Sequence, residues 1–276
     1  LQDGTEPVVD LLREVVRRTA GLLAQWQTAG FSHGVMNTDN MSVLGLTLDY
    51  GPFGFMEAYE PGFICNHSDH HGRYAFDRQP RVALFNLSCF AQALLPLLDV
   101  EAAKAALQAF QPAYECRYDT LMAGKLGFSE SDAGTRRLIQ DLLQQMAESR
   151  ADYTNTFRAL CEVKRDVDTV TAALSDRFID REHFRRWLQD YRVRLASHAG
   201  PDAGRQASMR RRNPKYILRN YLAQIAIDRA TQAQDYTEID RLFKLLQDPF
   251  AEQPEMERYA EPPPDWARNI QVSCSS

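Results

Sequence analysis

Asp39 and Asn40 stand ten and nine residues ahead of an Asp-Tyr-Gly turn, Asp49-Tyr50-Gly51, with a short apolar run between. Those residue types at that spacing suit a divalent cation shared with a nucleotide. Mg²⁺ takes few protein oxygens and completes its shell with water and substrate phosphate, and Asn40 with Asp49 can supply such oxygens. Asp39, beside the candidate ligand Asn40, could take the proton from an incoming hydroxyl. The bland alternative is a cap-and-turn cluster at Thr38-Asp39-Asn40, a common use of Asp and Asn, and for an isolated pair it is the better reading. The surroundings weigh against it here, because His33 stands seven residues before Asn40 and a second acidic turn follows.

Protein kinases carry a loop of the form H-x-D-x-x-x-x-N, which supplies a catalytic Asp and a metal-binding Asn, and a later D-F-G that supplies a second ligand. His33, Asn40 and Asp49-Tyr50-Gly51 keep that frame, whereas Val35 occupies the position of the kinase base and cannot accept a proton. By kinase rules this is a pseudokinase. The run GFSHGVMNTDNMSVLGLTLDYGPFGFMEAYEPGFICNHSDHHGRYAFDRQP, Gly30 to Pro80, resembles the SelO (YdiU) family of kinase-fold protein adenylyltransferases. So do NPKYILRNYLAQIAI at Asn213–Ile227 and the tail from Asp248-Pro249-Phe250 through Pro262-Pro263-Pro264-Asp265-Trp266-Ala267 to Ser276.

The resemblance implies a mainly α fold: a protein-kinase-like C-lobe with a short β-hairpin at the catalytic loop and a helical C-terminal extension. It implies AMP transfer from ATP to Ser, Thr or Tyr hydroxyls of protein substrates, with ATP inverted so that the α-phosphate meets the acceptor. Asp39 is then the proton acceptor, Asn40 and Asp49 hold Mg²⁺ or Mn²⁺, and Asp49 also contacts ATP. Some members carry selenocysteine, others cysteine, near the C-terminus, which implies redox chemistry at Cys274 and, by inference, a regulatory disulfide to Cys65. Two other readings stay open. One is a kinase-like phosphotransferase, against which Val35 counts, and the other a non-catalytic regulatory fragment.

Only 32 residues precede His33, and they hold no G-x-G-x-x-G and no strand-borne Lys. The chain therefore reads as the C-terminal part of a longer protein lacking its N-lobe, active when intact and inactive alone. At 44% hydrophobic and 25% charged it has ordinary globular composition. A mean hydropathy of −0.44 without an apolar run near twenty residues argues against a membrane span. A net charge of −5 gives no reason to expect nucleic acid. Five scattered cysteines without C-x-x-C suit a reducing compartment, so a bacterial cytoplasm is expected, or mitochondria in a eukaryote, any N-terminal targeting signal being out of view.

Apolar spacing from Val8 to Trp26 predicts a helix stopped by Gly30, which delivers the chain to the His33 loop. Met41–Leu48 is expected to form the hairpin, turning at Gly45, and Gly51–Pro80 a long ordered loop where a kinase has its activation segment. Beyond Asn86 the stripes are helical, and a boundary near Phe110–Pro112 divides a C-lobe core, 1–110, from a helical extension with a redox tail, 111–276. Ser197–Arg212, with two glycines and four arginines, is expected to be a mobile loop. His33 is expected to pack beneath the loop. His67, His70 and His71 lack the frame of a zinc site and are expected to be loop polar residues. Cys65 and Cys274 are expected to be exposed, and Cys89, Cys116 and Cys161 buried. The basic run Met209–Lys215 is expected to be a solvated face.

Overall fold

Pro7 opens the first helix, α1 (Pro7–Ala29), where its missing N–H costs nothing and its fixed φ suits the turn. Val9, Leu12, Val15, Val16 and Leu23 recur at helical spacing and are buried. Gly30, left-handed at φ 69°, ends the helix by returning its N–H to the Trp26 carbonyl. The computed structural model describes residues 6–165, 172–197 and 200–273. Among these the chain is mainly helical, and no helix is long and apolar enough to cross a membrane.

The chain divides into two compact units, one of Leu1–Phe53, Pro61–Leu121 and Gln271–Ser276, the other of Gly54–Glu60 and Met122–Ile270. In the first, α1 packs against α2 (Gln79–Leu94) and α3 (Val100–Gln108). The helix α2 has proline in its first turn and stops shortly before Pro96, which has no N–H to continue the helical ladder. At the start of α3, the Asp99 carboxylate accepts from the N–H groups of Glu101 and Ala102. The helix α4 (Phe110–Lys125) contains the dividing point.

The second unit is built on α5 (Ala133–Ser149), α6 (Tyr153–Leu160), α7 (Ala172–Ser175), α8 (Arg181–Ala196), α9 (Asp202–Arg210), α10 (Asn220–Ala233) and α11 (Thr237–Gln247). Its core is aromatic. Phe178, Phe184, Trp187 and Tyr191 stack in succession, and the Trp187 indole donates to the Leu138 carbonyl at 2.9 Å, tying α8 to α5. Where a mobile loop was expected, Asp202–Arg210 is a helix. The Asp202 carboxylate accepts from Arg165 and Arg205, so charges that look solvated in sequence anchor the segment. The basic run is corrected in the same way. Arg210 pairs with Glu162 at 2.7 Å, Lys215 with Glu252 at 2.6 Å, and Met209 and Asn213 are fully buried.

Among the described residues of this unit two cations are buried. Arg219, 1% exposed, joins Glu57 and, at 2.9 Å, Asp152, which also caps α6. Among the described residues, no carboxylate pairs with Lys125. Its ammonium lies 4.5 Å from the Phe157 ring centre and 5.4 Å from that of Tyr153, and burial pulls its pKa down from 10.5 to about 7. Between pH 7 and 10.5 the unfolded chain therefore holds a proton that the folded chain has lost, and stability rises with pH across that window. A Lys125→Met variant should be more stable at pH 6, by on the order of 1–4 kcal/mol, and should lack that rise. Denaturant melts of both proteins from pH 6 to 10.5 would read the difference. A gap that stays constant would contradict it.

Candidate functional site

The loop that follows α1 is irregular yet buried, and its polar backbone is satisfied by side chains from distant positions. The Gln79 amide donates to the Phe31 carbonyl at 2.9 Å while its oxygen accepts the His33 N–H at 2.9 Å. Asn66 donates to Gly34 O at 3.2 Å, Asn86 to Met36 O at 3.0 Å, and the Cys65 thiol to Ser32 O at 3.5 Å. Gly34 is required here. Its φ is 83°, and a Cβ would meet Pro52 O at 2.6 Å and Cys65 Sγ at 2.7 Å.

His33, 1% exposed, joins the two acidic motifs. Its Nε2 meets Leu48 O at 2.8 Å and its Nδ1 meets the Val35 N–H at 3.4 Å. A carbonyl on one side and an N–H on the other make Nε2 the protonated nitrogen. The imidazole thereby fixes the residue next to Asp49, a structural role.

Asp39 and Asn40 sit in a single 3-10 turn, Thr38–Asn40, with Asp39 exposed. Asn40 donates its amide nitrogen to Val35 O at 3.1 Å, a bond that does not use its carbonyl oxygen. Asp49 is exposed and adopts φ 57°, a left-handed conformation rare for a residue with a Cβ. The Gly51 N–H closes the turn on Asp49 O at 2.8 Å. Tyr50 and Phe53 meet edge to face at 5.5 Å, and both contact the Phe31 ring.

The connection Met41–Leu48 holds no strand. Gly45 does turn the chain, returning its N–H to Ser42 O at 3.0 Å, but the segment is held by α1 instead of a paired strand. The Trp26 indole donates to Thr47 at 2.8 Å, and a Cβ on Gly45 would fall 2.8 Å from that of Arg18. The strands lie outside it, at Phe31–Ser32 and Gly54–Phe55.

The cysteines differ from expectation. Cys65 is buried, because its thiol sits under the loop, whereas Cys116 is exposed and Cys89 half-buried. Cys161 is fully buried, and burial pushes its thiol pKa up. Cys274 lies outside the described residues. His67 and His70 meet edge to face at 6.2 Å, and among the described residues no group of three or more His, Cys, Asp or Glu is disposed to hold a metal. Sequence reasoning missed Asn37, Asn66, Tyr74, Gln79 and Asn86, whose only signal was a surplus of carboxamides and a tyrosine around an irregular loop.

A mainly helical fold that carries an Asp-Asn turn and an Asp-Tyr-Gly turn on one buttressed loop is kinase-like. Residues 1–247 match the family described as protein adenylyltransferase SelO, and the chain belongs to that family. It is 55% identical to the protein nucleotidyltransferase YdiU of Thiobacillus denitrificans, over 98% of this chain and 55% of that protein. The YdiU proteins of Myxococcus xanthus and Burkholderia thailandensis are 54% and 48% identical, over 95% and 100% of this chain and 54% and 56% of theirs. The chain spans about half the length of these relatives. The expectation that the resemblance is that of a C-terminal part is corrected to a family match that starts at residue 1, with relatives aligned along 95–100% of this chain.

Backbone strain at Asp49 separates its structural from its chemical contribution. Asp49→Gly removes the left-handed penalty and should hold or raise the melting temperature, while Asp49→Ala keeps the penalty and should be less stable than Asp49→Gly by roughly 1 kcal/mol. Thermal melts of the two variants test this, and equal stabilities would show the turn to be unstrained.

Proposed function

We propose that the protein transfers AMP from ATP to Ser, Thr or Tyr hydroxyls of other proteins, and that Asp39, Asn40 and Asp49 serve this reaction. The observation that carries the reading is the Thr38–Asn40 turn, which leaves the Asp39 carboxylate exposed and the Asn40 oxygen free of its own loop, while Val35 occupies the kinase base position. Family membership and the names of the relatives support the same chemistry.

In this reading Asp39 accepts the proton of the acceptor hydroxyl as its oxygen bonds to the α-phosphorus. The bond from that phosphorus to the oxygen bridging to the β-phosphate breaks, and pyrophosphate leaves with the electron pair. Asn40 and Asp49 would hold Mg²⁺, or Mn²⁺, which when bound offsets phosphate charge. In this reading the carboxamide buttress would serve to position Asp39 and Asp49, and positioning together with charge stabilisation accounts for most of the catalysis in transfers of this type.

We further propose that oxidation links Cys65 to Cys274, each thiol giving up a proton and an electron to a small-molecule disulfide. Asn66, beside Cys65, bridges to Val272 in parallel, and the His67 N–H donates to Val272 O at 2.8 Å, so the tail runs beside Cys65. Peptide mapping without reductant should recover the pair. Recovery of a different pair would remove this proposal.

The reaction is tested with labelled ATP and Mg²⁺ on the protein that carries this chain. Label at the α-phosphate should enter protein and label at the γ-phosphate should not. Asp49→Ala and Asp39→Asn should each lower incorporation by about 100-fold or more. Incorporation from γ-labelled ATP alone would mark a phosphotransferase and overturn the reading.

A further inference from the structure

Asn37 begins the Thr38–Asn40 turn at the position where an Asn side chain ordinarily accepts a backbone N–H of that turn. It makes no such bond. Its oxygen instead accepts from the Tyr74 hydroxyl at 2.6 Å, across 37 residues of chain. Forgoing a cap that is usually worth ~1 kcal/mol means the turn depends on the cross-loop contact for its orientation. Only the backbone bond from Asn40 N–H to Asn37 O, 3.0 Å, closes it from within.

Tyr74 is itself firmly held. The Asp69 carboxylate accepts from the N–H groups of both Arg73, at 2.8 Å, and Tyr74, at 2.7 Å. The Arg73 guanidinium lies 5.6 Å from the ring centres of both Tyr74 and Phe85. Two residues on, buried Phe76 anchors the backbone, its N–H donating to Phe63 O at 2.9 Å and its carbonyl accepting from Gln27 at 2.7 Å. The phenol is thus the tip of a stapled turn seated on α1 and α2, and it holds the side chain of Asn37, two residues before Asp39. Asp69, within the His-rich run, spends both carboxylate oxygens on this staple.

We propose that Tyr74 is a positioning residue for the transfer reaction: by donating to Asn37 it orients the Thr38–Asn40 turn and so sets the Asp39 carboxylate against the acceptor hydroxyl. The proposal rests on the role given to Asp39 above. Tyr74 does not touch the reacting atoms. Its loss should lower turnover more than nucleotide affinity, because Asn40 keeps its own bond to Val35 O at 3.1 Å and Asp49 lies outside the turn.

Kinetics and hydrogen exchange on the protein that carries this chain test it together. Tyr74→Phe and Asn37→Ala should each lower kcat for AMP transfer about tenfold with KM for ATP within about twofold, and the double variant should be no slower than either single one. Tyr74→Phe should also speed amide exchange across Asn37–Met41 about threefold or more, with the melting temperature nearly unchanged. Unchanged kcat in an active parent, or single effects that multiply in the double variant, would overturn the positioning role. If the parent transfers no AMP, the reading of Asp39 fails separately. Exchange still decides the strut, and unaltered protection in Tyr74→Phe overturns it.

Discussion

Five successive or near-successive carbonyls, those of Phe31, Ser32, Gly34, Val35 and Met36, point into a largely buried region where no regular ladder serves them all. A buried carbonyl left without a donor costs ~1–3 kcal/mol, so five together would rival the whole stability of an ordinary domain. Gln79, Cys65, Asn66, Asn40 and Asn86 supply the donors. The same bonds hold the chemistry. Asn40 is at once a donor to this frame and a candidate cation ligand, and Gln79 grips the backbone of His33, whose ring fixes Leu48 beside Asp49.

This constraint explains why the active loop can be irregular without being loose. α1 delivers the chain to it, α2 contributes Gln79 and Asn86, and the segment after Asp-Tyr-Gly contributes Cys65, Asn66 and Tyr74. Within this loop the left-handed non-glycine residue is Asp49, whose backbone persists because its neighbours on both sides are tied. The second unit depends on a different principle, an aromatic stack and ion pairs sunk beneath its surface, with Arg219 and Lys125 as its two buried cations.

Much of this was legible in the sequence where the signal is local. The apolar period of α1 and its stop at Gly30 follow from residues in one stretch, and so does the grouping of Asp39, Asn40 and Asp49 on one connection. The buttress was not legible, because Asn66, Gln79 and Asn86 lie 32, 46 and 50 residues from the groups they bind, and carboxamides carry no period. Met41–Leu48 alternates like a strand, yet Trp26 and Arg18 draw it onto α1. Ser197–Arg212 has loop composition, but Arg205 pairs with Asp202 and Arg210 with Glu162, and Asp202–Arg210 winds into α9. Cys65 looked mobile because its neighbours are Gly, Pro and Asn; burial under Ser32 comes from the tertiary fold.

The central claim is that Asn40 and Asp49 form the cation site that serves the nucleotide. Replacing Mg²⁺ with paramagnetic Mn²⁺ in the presence of ATP, and following the backbone amide signals of the protein, tests it directly. Broadening centred on Asn40, Asp49 and Gly51, and abolished in Asp49→Ala, is the predicted result. Broadening centred instead on His67, His70 and His71, with Asn40 and Asp49 unaffected, would contradict it.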